Sequence, residues 1–167
     1  KFGYRGKIWP VNPNRTSVHG LPCYAALDAL PSPADLAIIA TGAEKAASIV
    51  RDCAQAGIRS GIIWAGGYSE TGPEGAALQE ALVQVCRDTG FTLLGPNSIG
   101  VINTGDAMIA SFASFLVEEE KLIPGNVAMV SQSGGLATMA QAMAQRKGMG
   151  FSLTISTGNE AMLTVAD

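Results

Sequence analysis

Histidine is almost absent from these 167 residues, with His19 the only one, and there are just three cysteines, Cys23, Cys53 and Cys86. One histidine excludes an H-E-x-x-H metalloprotease helix, and no paired metal ligands, Walker loop or G-x-S-x-G elbow occur either. Charge is also sparse, at 15% of residues with a formal net charge of −3. That balance leaves no basic footprint for a nucleic acid, so none is expected as a partner. Any anion bound here must be held by local geometry instead. No apolar run reaches the length of a membrane span and no signal-peptide pattern is present, so no membrane partner is expected. The cysteines are widely spaced and two fall on apolar helix faces, so they read as reduced core residues of a cytoplasmic protein rather than disulfides or a metal site.

What is abundant is apolar character, at 47% of residues, which predicts a large core and a surface for a partner. It falls into repeated units. Leu36-Ala37-Ile38-Ile39-Ala40 is a continuous apolar run, as in a strand buried on both faces. Thr41 can cap the helix that follows, where Ala46, Ile49, Val50, Cys53 and Ala54 recur at three-four spacing up to Gly57. Ile62 to Ala65 begins a second unit, whose helix carries Leu78, Ala81, Leu82 and Val85 and stops at Gly90. Leu93-Leu94 closes that series as a short strand. A third unit runs from Val127-Ala128-Met129-Val130 into a helix with Leu136, Met139, Ala140, Met143 and Ala144 on one face. Phe151 to Ser156 reads as a further strand, and Ile8 to Val11 as one more at the front, with an irregular end at Pro10. Strands alternating with helices predict an α/β fold with parallel sheets. Residues 103–125 break the rhythm and read as a domain junction with one short strand near Met108–Phe115. Both ends look cut, with a new helix starting just before Asp167, so the chain reads as a fragment.

Four segments have the composition of ligand loops. Ser131-Gln132-Ser133-Gly134-Gly135 lies between a strand and a helix. The first amides of a helix lack internal partners and the helix dipole is positive there, so glycines at that point let a phosphate approach. An ordinary serine-capped turn is the equal alternative. Gly95-Pro96-Asn97-Ser98-Ile99-Gly100 lies at the carboxyl end of a strand, where open α/β sheets bind ligands. Alone it is more simply a structural turn. In Ala65-Gly66-Gly67-Tyr68-Ser69-Glu70 the glycines permit close approach, and Glu70 is either catalytic or a helix-start residue. Around Trp9 to Arg15 the ribose-binding acid of an NAD fold is missing, since Asp28 is the first acid in the chain. Arg5, Lys7 and Arg15 there suit a phosphorylated ribose, as in CoA or NADP, or are solvated surface cations. Asn159 and Glu160 can line the cleft of the serine–glycine turn, or Asn159 caps the next helix. His19 has no partner nearby and reads as structural.

Taken together, Pro10–Pro13, Asp35–Thr41, Leu94–Asn103, Gly125–Gly135 and Ser156–Ala161 resemble the NDP-forming acyl-CoA synthetase superfamily. Its members include ADP-forming acetyl-CoA synthetases and the succinyl-CoA synthetase alpha subunit. The resemblance implies a Rossmann-like CoA-binding domain over 1–105, truncated at its N-terminus, then part of a flavodoxin-like parallel α/β domain over 106–167. It implies an acid–CoA ligase that works through an acyl phosphate and a phosphohistidine. Ser133, Gly134 and Gly135 match the cradle for the phosphohistidine, and Asn97 and Glu160 are the other expected active-site residues. CoA is expected along Asn12, Pro13, Arg15, Thr41, Gly42, Ala43, Gly66 and Gly67, with its reactive end near Asn97. ADP or ATP with Mg2+ is expected only in a nucleotide-grasp domain, and no metal is expected on this chain. The expected partners are CoA, a small carboxylic acid, and the remainder of the chain or a beta-type subunit, in a homo- or hetero-oligomer. Ser98 stands where many relatives carry cysteine. The first strand with its glycine-rich loop, the catalytic histidine and the grasp domain are absent from these residues, so this polypeptide alone is expected to be inactive. The rival readings are a CoA-binding regulatory module of a lysine acetyltransferase and an NADP-binding Rossmann domain.

Overall fold

The structure, a computed structural model, describes Lys1–Asp167. Three parallel strands, β3 (Ala37–Ile39), β4 (Ser60–Ile63) and β5 (Thr92–Leu94), form one sheet in that order. Helices α1 (Ala43–Gln55) and α2 (Pro73–Thr89) cross between them and share one face of the sheet. Their inward residues, Ala46, Val50 and Cys53 of α1 with Leu82, Val85 and Cys86 of α2, meet Ile39, Ile63 and Leu93 in the main core. The thiols of Cys53 and Cys86 are both free, and burial pushes each up to about 11, with the Asp52 carboxylate adding to the effect at Cys53. Both helices end as their sequences predict: Gly57 and Gly90 adopt positive φ at the stops, where glycine carries no Cβ penalty. Thr41 does not cap α1. Gly42 takes the cap position without a side-chain bond, and the Thr41 hydroxyl is buried with no partner.

The second sheet is mixed and has the order β7 (Met108–Ser111), β6 (Gly100–Asn103), β9 (Leu153–Ser156), β8 (Ala128–Ser131). Strand β8 pairs parallel with β9, as a flavodoxin-like unit requires. Strands β6 and β7 form an antiparallel hairpin, and β6 also runs antiparallel to β9. The turn at Asn103–Asp106 is therefore a hairpin turn inside this sheet, so the sheet draws strands from both sides of residue 105. A short helix, α3 (Phe115–Glu118), follows β7. The outer face of the first sheet, through Ile62 and Leu94, packs on Ala110 of β7 with Val101 and Ile155 beside it.

Two sequence expectations change at the chain's start and end. Residues 8–11 are not a strand. Only Val11 bridges to Tyr24, and the regular pairing there is a small hairpin of β1 (Ser17–Val18) and β2 (Leu21–Pro22). His19 and Gly20 form its two-residue turn, both with positive φ, the geometry a tight hairpin demands. Residues 158–167 contain turns and bends rather than a helix.

Helix α4 (Gly134–Arg146) overturns a third expectation. Ala137, Gln141 and Ala144 face inward, while Leu136, Met139 and Met143 are 54%, 56% and 53% exposed. Two alanines and Gln141 thus form the face of α4 that meets β8 and β9, and the larger apolar side chains point outward.

The two sheets are joined by a backbone seam. After β9 the chain runs back along β5 and its loop, with Asn159 N–H donating to the Pro96 carbonyl (2.9 Å), Ala161 to Gly95 (3.1 Å) and Leu163 to Leu93 (3.2 Å). Ser98 is fully buried in this seam. Its hydroxyl donates to the Ser156 carbonyl at 2.5 Å and accepts from the Gly100 amide at 2.9 Å. Removing it strands a buried acceptor and a buried donor, which costs about 1–3 kcal/mol. Ser98→Ala is expected to lower the urea midpoint by an amount equivalent to about 2 kcal/mol. An unchanged midpoint would show that the seam does not depend on that hydroxyl.

Candidate functional site

Four loops converge on one open cleft of about 560 Å³. They follow β4, β5, β8 and β9, so each lies at the carboxyl end of a strand that belongs to a parallel pair. Amide groups and small polar side chains line it, and Ile99 is the one hydrophobic residue among its ten lining residues.

The loop after β8 supplies the start of α4. Ser133 is the N-cap, and its hydroxyl oxygen accepts from the Leu136 amide at 3.2 Å. Ala137 N–H already reaches the Ser133 carbonyl. The amides of Gly134 and Gly135, in the first turn, have no intrahelical carbonyl to reach. Both glycines line the cleft, but for different reasons. A Cβ on Gly134 would fall 2.5 Å from Ile99 Cγ1, so glycine there lets the β5 loop close in. A Cβ on Gly135 would meet nothing within 4 Å, so that position opens directly into the cleft.

Opposite stands Asn97, exposed, with a left-handed backbone at φ +57° that asparagine tolerates better than most residues. Its amide N–H is anchored to the Ala65 carbonyl at 2.9 Å. Its side-chain Nδ2 donates to Asn159 Oδ1 at 3.2 Å. Asn159 Nδ2 in turn donates to Glu70 Oε2 and to Gln79 Oε1, the latter at 3.1 Å. Glu70 Oε1 accepts from the Gly67 amide at 2.6 Å and the Tyr68 amide at 3.1 Å. Burial alone would raise the Glu70 carboxyl, but the bonds from Asn159, Gly67 and Tyr68 outweigh it and hold it below the usual carboxylate range. The Tyr68 phenol is pushed up to about 12, first by burial and then by the Glu44 and Glu70 carboxylates. It is a core residue, not a proton donor of the cleft.

The expected site residues thus divide into three groups. Ser133, Gly134, Gly135 and Asn97 are brought together around the cleft. Glu160 is not among its lining residues: its carboxylate accepts from the Thr157 hydroxyl (2.8 Å) and the Val165 amide (3.1 Å). The residues expected along CoA lie outside this cleft. Thr41, Gly42 and Ala43 open α1, and a Cβ on Gly67 would sit 3.5 Å from that of Ala43, so these two loops are neighbours. The Gly67 amide is occupied by Glu70, so this loop presents the bare, exposed flank of Gly66 rather than a free Gly67 donor. Asn12, Pro13 and Arg15 lie on the irregular stretch before β1, where Asn12 N–H holds the Tyr24 carbonyl and Arg15 is exposed. At the start of α1 the Thr41 hydroxyl is buried without a partner and the Gly42 backbone is exposed. Ser69, Ile99, Gln132 and Gly158 also line the cleft and were not picked out as site residues by the sequence reading. Ser69 follows the paired glycines at a strand end, which was a usable signal. Gln79, which supports Asn159 from α2, carried none.

Comparison with known proteins places both halves of the chain in described families. A family described as CoA binding domain matches residues 3–104, and one described as succinyl-CoA ligase like flavodoxin domain matches residues 124–167. The chain is 36% identical over 164 residues to acetate–CoA ligase [ADP-forming] I of Archaeoglobus fulgidus, covering 98% of this chain and 23% of that one. It is 33% identical over 162 residues to acetate–CoA ligase [ADP-forming] II subunit alpha of Pyrococcus furiosus, covering 97% of this chain and 34% of that subunit. Among solved structures, the dinucleotide forming acetyl-coenzyme A synthetase 1 of Ca. Korarchaeum cryptofilum superposes in its apo form with a TM-score of 0.89 at 31% identity. That match covers 99% of this chain and 34% of the other. The chain therefore spans about a quarter to a third of the relatives it matches. Its larger part belongs to the CoA binding domain family, joined to a succinyl-CoA ligase like flavodoxin segment in the arrangement of the NDP-forming acyl-CoA synthetases.

Proposed function

We propose that this chain is the CoA-binding and phosphate-cradling part of a cytoplasmic acid–CoA ligase that forms a nucleoside diphosphate. The observation that carries the reading is the cleft in which the unpaired first-turn amides of α4 face the Asn97 loop. A chain with net charge −3 attracts no anion by its overall field, so binding there relies on aimed amides and the positive end of the helix dipole. Gly134 and Gly135 donate N–H groups to phosphoryl oxygens, and the Ser133 hydroxyl proton is a third donor while its oxygen caps Leu136. This is the cradle for a phosphorylated histidine or an acyl phosphate. CoA runs past Arg15, with Asn12 and Pro13, then the start of α1 at Thr41, Gly42 and Ala43, and the Gly66–Gly67 loop, towards Asn97. The substrates are CoA and a small carboxylic acid. The phosphorylatable histidine, and the nucleotide with its Mg2+, are contributed by chain or subunit beyond the residues described here, in a larger assembly.

The experiment that tests this reading is calorimetric titration of the 167-residue chain with CoA and, separately, with NADP. Saturable binding of CoA and none of NADP is expected, whereas binding of NADP alone would contradict it. Supplied with acetate, CoA and ATP, the same chain is expected to release no acyl-CoA detectable by chromatography, and turnover by this chain would show that no further domain is needed. Gly135→Asp separates function from stability. A carboxylate at the second helical position favours the helix by about 0.3–1 kcal/mol, and replacing glycine adds a few tenths more. The same carboxylate points into open cleft and repels a bound anion. Thermal stability is expected to hold or rise while affinity for inorganic phosphate, followed by 31P line broadening, falls at least about tenfold. Unchanged phosphate affinity in that variant would remove the cradle.

A further inference from the structure

The polar chain Glu70–Asn159–Asn97 has a direction. Glu70 Oε1 faces two backbone N–H groups, those of Gly67 and Tyr68, which can only donate. An ionised carboxylate can only accept, so Oε2 requires a donor and Asn159 must present its Nδ2 there. Asn159 Oδ1 is then left to accept from Asn97 Nδ2. Asn97 Oδ1 is in consequence turned away from Asn159 towards Gly66, where a Cβ would lie 3.3 Å from it and 2.9 Å from Glu70 Oε1, itself already taken by two backbone amides. Gly66 has no side chain to meet that oxygen, and both residues are exposed.

We infer that Glu70 is a positioning residue that fixes the amide orientation of Asn159 and, through it, of Asn97, so that the cleft wall beside Gly66 offers a hydrogen-bond acceptor. The ligand group that docks there is a donor, an amide N–H, a hydroxyl or a thiol, and not an oxyanion. The anion is held across the cleft by the α4 amides. This deepens the ligase reading and rests on it for the identity of the ligand: CoA carries such donors along its pantetheine arm. Glu70 thereby serves binding without touching the reacting atoms, and it leaves Gly67 and Tyr68 no free amide for a phosphate.

Glu70→Gln tests the relay. Its oxygen must stay with the Gly67 and Tyr68 amides, so its Nε2 confronts Asn159 Nδ2, donor against donor. The pair reverses, Asn97 turns its Nδ2 towards Gly66, and the acceptor is lost. The expected result is a shift of the Asn97 side-chain amide resonances together with those of Asn159 in 15N-edited spectra of a variant that keeps the wild-type backbone spectrum. CoA affinity is expected to fall about tenfold by calorimetry. Asn159→Leu removes the middle link while keeping the Glu70 carboxylate on the Gly67 and Tyr68 amides, and is expected to shift Asn97 likewise, which keeps the test available should Glu70→Gln not fold. Asn97 resonances that stay in place when Glu70 is replaced would overturn the relay, because Gln79 and the Ser69 hydroxyl would then be orienting Asn159. Failure of the wild-type chain to bind CoA would overturn the ligase reading and the donor-ligand half of the inference, while the spectra judge the relay separately.

Discussion

The structure depends on one seam, where the strand that closes the second sheet sends the chain back along the loop that closes the first. Three backbone N–H groups, from Asn159, Ala161 and Leu163, are paired with carbonyls of residues 93 to 96. The approach is close enough that Gly158, with φ +62°, would drive a side chain into the backbone of Pro96 and Asn97. Buried backbone groups must be paired, so neither loop can shift without unsatisfying the other. Apolar packing reinforces the lock: Met162 reaches the main core and Leu163 the layer between the sheets. Because the seam fixes two sheets relative to each other, it also fixes the cleft at their common carboxyl edge.

Electrostatically the cleft is divided. One wall is the start of α4, where glycine amides and a serine hydroxyl can donate to an anion. The other carries a carboxylate, Glu70, but that charge is committed to three N–H donors and does not stand bare against a phosphate. One cleft can thus hold an oxyanion on one side and a hydrogen-bond donor on the other. A ligase needs such a division if it is to bring a phosphoryl group and a CoA arm to the same carbonyl carbon.

Much of this was legible in the sequence because it rests on local rules. The strands at 37–39 and 128–131 lie in apolar runs, those at 60–63 and 153–156 carry isoleucines beside turn residues, and Gly57 and Gly90 mark helix ends by the freedom of their backbones. The serine–glycine start of α4 follows from capping chemistry. What was not legible depends on partners distant in sequence. Gly100–Asn103 looks like the tail of a turn and becomes a strand only because β7 and β9 flank it. The inward face of α4 was misassigned because Leu136, Met139 and Met143 are the larger apolar residues. The buried face is instead Ala137, Gln141 and Ala144, of which only Ala144 was expected, because residue size does not say which of two helical faces meets the sheet. Glu160 and Asn159 were equal candidates in sequence, and only the seam decides that Asn159 faces the cleft while Glu160 ties its own turn. Gln79 lies 80 residues from the asparagine it supports.

On the reading proposed above, the cleft between the start of α4 and the Asn97 loop is an anion site. Backbone amide spectra of the 15N-labelled chain, recorded while inorganic phosphate is added, address it directly. Saturable shifts concentrated at Gly134 and Gly135 are expected, with Asn97 responding across the cleft. Shifts confined to the start of α1, or none that saturate, would contradict it.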